Sequence, residues 1–180
     1  MKNSPFVLIL SLLATLVACT PKIIFNESLR KNLEVKNVKP EKLQFYIDRD
    51  MELRREISSD ETKISSGKVE LHKGKTIQII DIKKFTPGVC VRSTDSTIDV
   101  AFENGSDAYL QFVAKDWRDF ENRTYVLKTY RDTEGINNIS YGNQIYKLDE
   151  NASEARILIK RKIANKENVN VKTIKGRTLN

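Results

Sequence analysis

The chain has 180 residues, of which 39% are hydrophobic and 31% charged, and it carries a formal net charge of +7 at pH 7. This length can bury one proper hydrophobic core and is short for two ordinary domains, so we expect a single domain. Two cysteines exclude a framework of several disulfides, and the basic balance indicates anionic neighbours.

The N-terminal residues have the pattern of a secretory signal peptide. Residues 6–18 form an apolar run in which only Ser11 and Thr15 are polar. A helix needs about 20 apolar residues to cross a bilayer, so this run is too short for a comfortable span. A lysine at position 2 and the small residue Ala18 complete the signal-peptide pattern. We therefore expect residues 1–18 to be removed on export.

The four residues Leu16-Val17-Ala18-Cys19 resemble the lipobox of bacterial lipoproteins, a family defined by this motif and not by a fold. The resemblance implies that the sulfur of Cys19 receives a diacylglycerol and that the new amino terminus is acylated after cleavage. Three acyl chains, at about 0.8 kcal/mol per buried CH₂, would make an effectively permanent membrane anchor. The alternative is an ordinary cleaved or membrane-embedded segment with a fortuitous cysteine.

The residues after Cys19 bear on where such an anchor is delivered. The position after Cys19 is Thr20, whereas an Asp at this position would resemble an inner-membrane retention signal. Residues 20–23 also lack the acidic cluster that would resemble a surface-export signal. The expected localisation is therefore the cell envelope, in the outer membrane with a periplasm-facing domain. The expected partners are the membrane, reached through the acyl chains, and an envelope protein, anionic lipid or glycan. Nucleic acid is not expected, because an exported protein meets little of it.

The remaining chain divides into a tether, a β domain and a basic tail. Residues 19–42 are predicted to hold the lipid anchor and a short, partly helical tether. From residue 43 apolar and polar residues alternate, which predicts half-buried strands, and turn signals recur about every ten residues. The sequence thus predicts a mainly β fold, a single antiparallel β-sandwich or small β-barrel over residues 43–164. The predicted strands are 43–47, 68–72, 76–84, 89–93, 97–102, 108–113, 124–131, 144–148 and 155–163.

Two turns are predicted within this domain. Asn104-Gly105 supplies the positive φ that a tight hairpin requires, so a hairpin is expected between the strands on either side. Thr86-Pro87-Gly88-Val89 suits a type II turn, since proline fixes the first central φ and glycine tolerates the second. Residues 116–122 and 131–138 are the longest irregular connections, and binding residues tend to lie in such loops.

Positive charge is concentrated towards the C-terminus. Between positions 160 and 180 the only acidic residue is Glu167, and the rest of the chain after residue 18 is close to neutral. The tail, residues 165–180, is therefore predicted to contact an anionic surface, with a merely solvated tail as the alternative. The basic residues of this region, of which the first three are candidate binding residues, are Lys160, Arg161, Lys162, Lys166, Lys172, Lys175 and Arg177.

Residues 86–92 faintly resemble the nucleophile motif of L,D-transpeptidases, which are envelope enzymes on a β-rich fold. The resemblance implies Cys90 as nucleophile, with His72 as the base that forms its thiolate. Val89 interrupts the motif directly before the cysteine, and the chain has no second histidine. We therefore favour a buried structural cysteine at position 90. Period-two alternation places its thiol on the face of Arg92, so an accessible thiol is the alternative.

Other chemistries find no matching set of residues. Zinc requires three or four Cys, His or carboxylate ligands, and one histidine with one free cysteine cannot supply them. Asp48 with Asp50, or Asp116 with Asp119, could act as paired carboxylates, but acidic residues in turns are far commoner. The sequence has no phosphate-binding glycine loop, serine nucleophile elbow or dinucleotide fingerprint, so no metal and no cofactor is expected.

The loop at residues 115–120 holds the single tryptophan of the chain in a polar setting. Trp117, Arg118 and Phe120 are candidate binding residues, because such types are enriched in interface hot spots; the alternative is that Trp117 plugs the core. Since no catalytic set is recognisable, the leading prediction is a non-enzymatic accessory or binding subunit of an outer-membrane assembly. Two alternatives are a cysteine-dependent peptidoglycan-modifying enzyme, built on the cysteine and histidine above, and a surface glycan-binding lipoprotein.

Overall fold

The computed structural model describes residues 20–58, 68–72, 74–105, 107–115 and 122–165. Within these ranges the protein is mainly β. Its strands are β1 (Lys22–Ile24), β2 (Gln44–Ile47), β3 (Met51–Ile57), β4 (Lys68–His72), β5 (Lys75–Ile82), β6 (Pro87–Ser93), β7 (Thr97–Ala101), β8 (Tyr109–Lys115), β9 (Thr124–Leu127), β10 (Tyr130–Arg131), β11 (Asn137–Tyr141), β12 (Gln144–Leu148) and β13 (Ile157–Lys160). Its helices are α1 (Glu27–Val35), α2 (Glu150–Ser153) and α3 (Arg161–Ala164), with a 3₁₀ turn at Pro40–Lys42.

The strands form two antiparallel sheets that share one core. Sheet A has the order β1-β13-β2-β6-β7-β8-β9, and sheet B has the order β10-β11-β12-β3-β5-β4. Two isolated bridges, Asn26 to Thr124 and Val126 to Arg156, bring β9 beside the opposite edge of sheet A without forming a ladder. The predicted mainly β, antiparallel fold is confirmed, and it is sandwich-like and not a closed barrel.

The core lies between the inner faces of the two sheets. Sheet A contributes Phe45, Ile98 and Phe112, and sheet B contributes Met51 and Leu53, all of them almost fully buried. The residues next to these in each strand point to the other face, since successive side chains of a strand alternate. Full burial of one such side chain contributes about 1.5–3 kcal/mol to folding, so the shared core joins both sheets into one unit.

The segment predicted to be a tether is part of the folded domain. β1 pairs with β13, and Phe25, which follows β1, is fully buried in the core. Asn26 caps α1 by accepting the backbone N–H of Leu29, and Leu33 of the helix is buried. The prediction failed because β1 is too short to display alternation and pairs with a strand that is distant in sequence. The carbonyl of Pro21 already accepts a hydrogen bond from the backbone N–H of Arg161, so the folded part includes the residues from 21 onwards and does not begin at residue 43.

A buried polar cluster holds α1 against sheet A. The hydroxyl of Tyr125 on β9 donates to a carboxylate oxygen of Glu27 at 2.6 Å. Arg30 donates to the same hydroxyl at 2.8 Å and to the carbonyl of Thr94 at 2.6 Å. Burial and the hydrogen bond to Glu27 raise the pKa of Tyr125 above its usual value. The hydroxyl therefore stays protonated and acts as both donor and acceptor, which satisfies two charged groups away from water.

The type II turn predicted at 86–89 is wrong. Gly88 lies inside β6 without a positive φ, and the chain reverses just before it, where Phe85 has φ +67° and the N–H of Thr86 donates to the carbonyl of Lys83 at 3.0 Å. Glycine is required at position 88 by packing, because a Cβ there would lie 2.6 Å from Cγ1 of Val100 on the neighbouring strand.

The remaining strand predictions agree best where alternation is strict. The hairpin of β7 and β8 is present, with Ala101 opposite Tyr109 and Gly105 at φ +148°. The strand predicted over 124–131 is divided between β9 in sheet A and β10 in sheet B. The strand predicted over 155–163 is limited to β13, after which α3 begins. β1, β3 and β11 have no counterpart among the predicted strands.

Candidate functional site

Several predicted functional residues lie outside the described part of the chain. They are Cys19, Asp116, Trp117, Arg118, Asp119, Phe120 and residues 166–180 of the basic tail. Lipid attachment and contact by the aromatic loop therefore stay predictions. Of the other candidate basic residues, Lys160 ends β13, and Arg161 and Lys162 are exposed in α3.

Cys90 lies in β6 with its side chain in the core. Only 8% of its surface is exposed, whereas Val89 and Val91 are 52% and 51% exposed. The thiol is therefore buried, as favoured, and the alternative of an accessible thiol is wrong. A bulge between Cys90 and Arg92 explains why Arg92 nevertheless points outward. Burial raises the pKa of the thiol to about 11, which disfavours the thiolate that a nucleophile needs. His72, the predicted base, ends β4 at an edge of the other sheet.

A cleft of about 380 Å³ opens between the β8–β9 side of sheet A and the β10–β11 end of sheet B. One end is closed by a two-residue turn, in which Gly142 and Asn143 both have the positive φ of a type I′ hairpin. The N–H of Gly142 and the side-chain amide of Asn143 donate to Asp107 at 3.2 and 2.9 Å, which ties the two sheets together. The lining residues are Arg92, Asp107, Tyr109, Gln111, Lys128, Tyr130, Ile139, Ser140 and Asn143.

Hydrogen bonds fix the polar side chains on the sheet A wall of this cleft. Asp99, with 1% of its side chain exposed, accepts from Arg92 at 2.6 Å and from Gln111 at 2.8 Å. Lys128 donates to the Gln111 side chain at 2.8 Å. The guanidinium of Arg92 also lies over the ring of Tyr109, 5.5 Å from its centroid. These contacts hold the side chains in place, so little further order is lost when a ligand binds.

The chemistry of the cleft is polar and aromatic, with balanced charge. Arg92 pairs with the carboxylate of Asp99, and Lys128 and Asp107 add one charge of each sign to the lining. The same surface offers hydrogen-bond donors and acceptors next to two tyrosine rings. This combination suits the hydroxyl groups of a sugar or the amide groups of a peptide better than a multiply charged anion.

Asp48 has a structural role and does not pair with Asp50. It accepts hydrogen bonds from the guanidinium groups of Arg49 and Arg156 and from the backbone N–H of Arg156, at 2.9–3.3 Å. Burial of the carboxyl opposes ionisation, but the hydrogen bonds outweigh it and hold the pKa of Asp48 below its usual value. Asp50 instead accepts from the backbone N–H of Lys84 at 2.6 Å. The two carboxylates serve separate contacts, which leaves the hypothesis of a catalytic pair without geometric support.

Lys160 belongs to a cluster on the outer face of sheet A that we call the lysine–aromatic face, made of Lys22, Tyr46, Lys84, Phe85 and Lys160. The ammonium of Lys22 lies 4.7 Å from the ring centroid of Tyr46 and 4.4 Å from that of Phe85. Lys84 lies 5.0 Å from the Phe85 ring, and Lys160 lies 5.9 Å from the Tyr46 ring. Cations at these distances are attracted to the ring faces, so the five side chains form one surface.

No family model, no curated protein and no solved structure matches this chain. In the ranges that the structure describes, no helix is both long enough and apolar enough to cross a membrane. Among the same residues, no three His, Cys, Asp or Glu side chains come together as metal ligands would. Function must therefore be inferred from the geometry of the cleft and of the lysine–aromatic face.

The cleft residues could not be found from the sequence. Arg92, Gln111, Lys128 and Ser140 stand in separate stretches, and no short motif connects them. Only the pairing order of sheet A and the packing of sheet B against it bring these residues to one place.

Proposed function

We propose that the protein is a lipid-anchored bacterial envelope protein that acts as a non-enzymatic accessory or binding subunit of an outer-membrane assembly. The signal-peptide pattern and the lipobox-like motif that ends at Cys19 support the anchor and the envelope localisation. The domain then faces the periplasm, and its proposed partner is another envelope protein.

The single observation that carries the binding role is the preformed cleft between the sheets. Its volume is at the lower end of the range typical of ligand sites, about 300–1,000 Å³. Ser140 and Asn143 on one wall and Gln111 on the other can pair with backbone amides, while Tyr130 offers a half-exposed ring for a side chain. We infer that the occupant is an extended segment of the partner protein.

The cysteine enzyme is less well supported than a binding protein. A nucleophilic thiol requires access to substrate and a nearby base, whereas Cys90 is buried and its pKa is raised. The glycan-binding alternative has one observation in its favour, since Tyr109 and Tyr130 both line the cleft and sugar rings pack well on aromatic faces.

Site-specific photo-crosslinking in the native envelope tests the binding role. A photoreactive residue at Tyr130, inside the cleft, should capture one defined envelope protein, whereas the same residue at Leu71 should not. Leu71 is a suitable control because it is 78% exposed on β4, away from the cleft. When Lys128→Ala is added to the protein that carries the photoreactive residue at position 130, capture should fall about fivefold. The reason is that Lys128→Ala removes a hydrogen bond that holds Gln111 in position.

The outcomes of this experiment separate the candidate functions. Equal capture at both positions, or capture that is unaffected by Lys128→Ala, would contradict binding in the cleft. A product that carries carbohydrate and no second polypeptide would select the glycan-binding alternative.

A further inference from the structure

The folded domain begins immediately after the proposed lipid attachment site. The carbonyl of Pro21 accepts a hydrogen bond from the backbone N–H of Arg161 at 2.8 Å, and Lys22 begins the pairing of β1 with β13. An extended chain covers at most about 3.6 Å per residue, so Cys19 lies within roughly 7 Å of Pro21. An anchor at Cys19 therefore holds the domain directly against the membrane, without a tether.

The lysine–aromatic face adjoins this point of attachment. Lys22, one of its members, is three residues from Cys19 in the sequence, and Lys160 lies opposite Lys22 in the β1–β13 register. The end of this face that carries Lys22 and Lys160 therefore lies close to the anchor, next to the start of α3 at Arg161.

Exposed apolar side chains continue the same face. Val89 lies opposite Gln44 on β2, and Gln44 shares its face with Tyr46, two residues further along the strand. Val91 follows on the outer side of β6, and both valines are about half exposed. Phe85 is 44% exposed within the cluster itself. Lysines and apolar groups together on one surface are typical of segments that lie in the headgroup region of a membrane.

The lysines of this face are not neutralised by the protein. In the described part of the chain, Lys22, Lys84 and Lys160 take part in no ion pair with an acidic side chain. On sheet B, by contrast, Lys68 pairs with Glu70 and Lys75 pairs with Glu56. Among the described residues, no acidic side chain therefore competes with external anions for the cations of the lysine–aromatic face.

We propose that the lysine–aromatic face rests on an anionic phospholipid leaflet, with its lysines at the lipid phosphates and Phe85, Val89 and Val91 among the headgroups. The proposal rests on the lipid anchor proposed above and adds an orientation to it. Because the two sheets are stacked, the outer face of sheet B is directed away from the membrane. A surface of this composition binds anionic leaflets more strongly than neutral ones, since lysines are attracted to the negative surface potential.

Lysine acetylation on vesicles tests this orientation with the unaltered full-length, acylated protein. The protein is reconstituted in phosphatidylglycerol–phosphatidylethanolamine vesicles, in phosphatidylcholine vesicles and in neutral detergent micelles, and the acetylation rate of each lysine is measured by mass spectrometry. We expect Lys84 and Lys160 to react at least threefold more slowly on the anionic vesicles than in either neutral environment. Lys68, Lys75 and Lys147 of sheet B should react at the same rate in all three.

Lys22 and Lys160, which lie opposite each other beside the anchor, do not decide the test, because their closeness to the anchor would protect them in any orientation. Equal rates at Lys84 in all three environments would overturn the proposal, as would protection of the sheet B lysines to the same degree as Lys84. Protection that is already complete in micelles would indicate a second copy of the chain on this face and would also overturn it. The intact mass is measured first: a mass without acyl chains would contradict the anchor itself, which distinguishes that failure from failure of the proposed orientation.

Discussion

The surroundings of Cys90 determine how its thiol reacts. The side chain is part of the core, and its Sγ donates to the carbonyl of Arg92 at 3.3 Å. Burial is the largest cause of the raised pKa, and the negative charge of Glu41 adds to it. The pKa of about 11 lies two units above the ordinary value of 9.0, so near neutral pH the native protein holds roughly a hundredfold less thiolate than an exposed cysteine.

We therefore expect iodoacetamide to alkylate Cys90 at pH 7 about a hundredfold more slowly in the folded protein than in the urea-unfolded chain, because the thiolate is the reacting species. The rate, followed by mass spectrometry, should rise with pH up to about 11. Cys90→Ser keeps a donor for the carbonyl of Arg92 and should preserve any cellular phenotype. Rapid alkylation below pH 7, combined with loss of the phenotype in Cys90→Ser, would make the cysteine enzyme the leading hypothesis.

At the scale of single elements, the position of β6 depends on the missing side chain of Gly88. A Cβ at this position would lie 2.6 Å from Cγ1 of Val100 and 2.8 Å from the ring of Phe102. β6 pairs with β2 on one side and β7 on the other, so a displacement here affects both neighbours in sheet A.

We expect Gly88→Ala to lower the free energy of unfolding by about 1–3 kcal/mol through overpacking, measured by urea denaturation. A double-mutant cycle with Val100→Ala supplies the control, because that substitution removes the nearest atom that the new Cβ would meet and leaves the ring of Phe102 in place. The cost of Gly88→Ala should be smaller in the Val100→Ala background. Strictly additive costs would show that contact with Val100 is not the reason for glycine at this position.

The elements that could be predicted are those in which one face is uniformly apolar. β7 and β8 alternate without interruption, so their pattern identifies them. The sequence pattern did not predict β3, because Arg55 occupies an inward position between Leu53 and Ile57. There its guanidinium donates to Gln78 at 2.7 Å. A half-buried arginine that donates to a partner on another strand breaks the apolar period, and the sequence does not reveal that partner.

At the scale of the whole molecule, both candidate surfaces combine segments that are far apart in the chain. The cleft requires sheet B to pack beside the β8–β9 edge of sheet A, and the lysine–aromatic face requires β1 to pair with β13. Charge and aromatic content were visible in the sequence, but their placement depends on strand order, which short-range patterns do not determine. The length of the chain predicts a single domain, but it does not predict the residue at which that domain starts.

Truncation is expected to affect stability in opposite ways at the two ends of the described chain. A variant that lacks residues 20–38 loses β1, the buried Phe25 and Leu33, and the partners of Tyr125 on α1. Loss of two large core side chains alone costs about 5–10 kcal/mol, which is comparable to the whole stability of a typical domain of about 5–15 kcal/mol. A variant that ends at residue 165 keeps every contact described here.

We therefore expect the chain without residues 20–38 to show no cooperative thermal transition, and the chain that ends at residue 165 to unfold cooperatively within a few degrees of the full-length protein. Calorimetry and near-ultraviolet circular dichroism measure both, with the signal peptide and Cys19 removed from all three proteins so that membrane attachment does not differ. An unchanged thermal transition in the chain without residues 20–38 would support the predicted tether. It would also remove the reason for placing the domain directly on the membrane. Loss of the transition on truncation at residue 165 would instead make the basic tail part of the fold, because only a segment packed in the native state can change its stability that much.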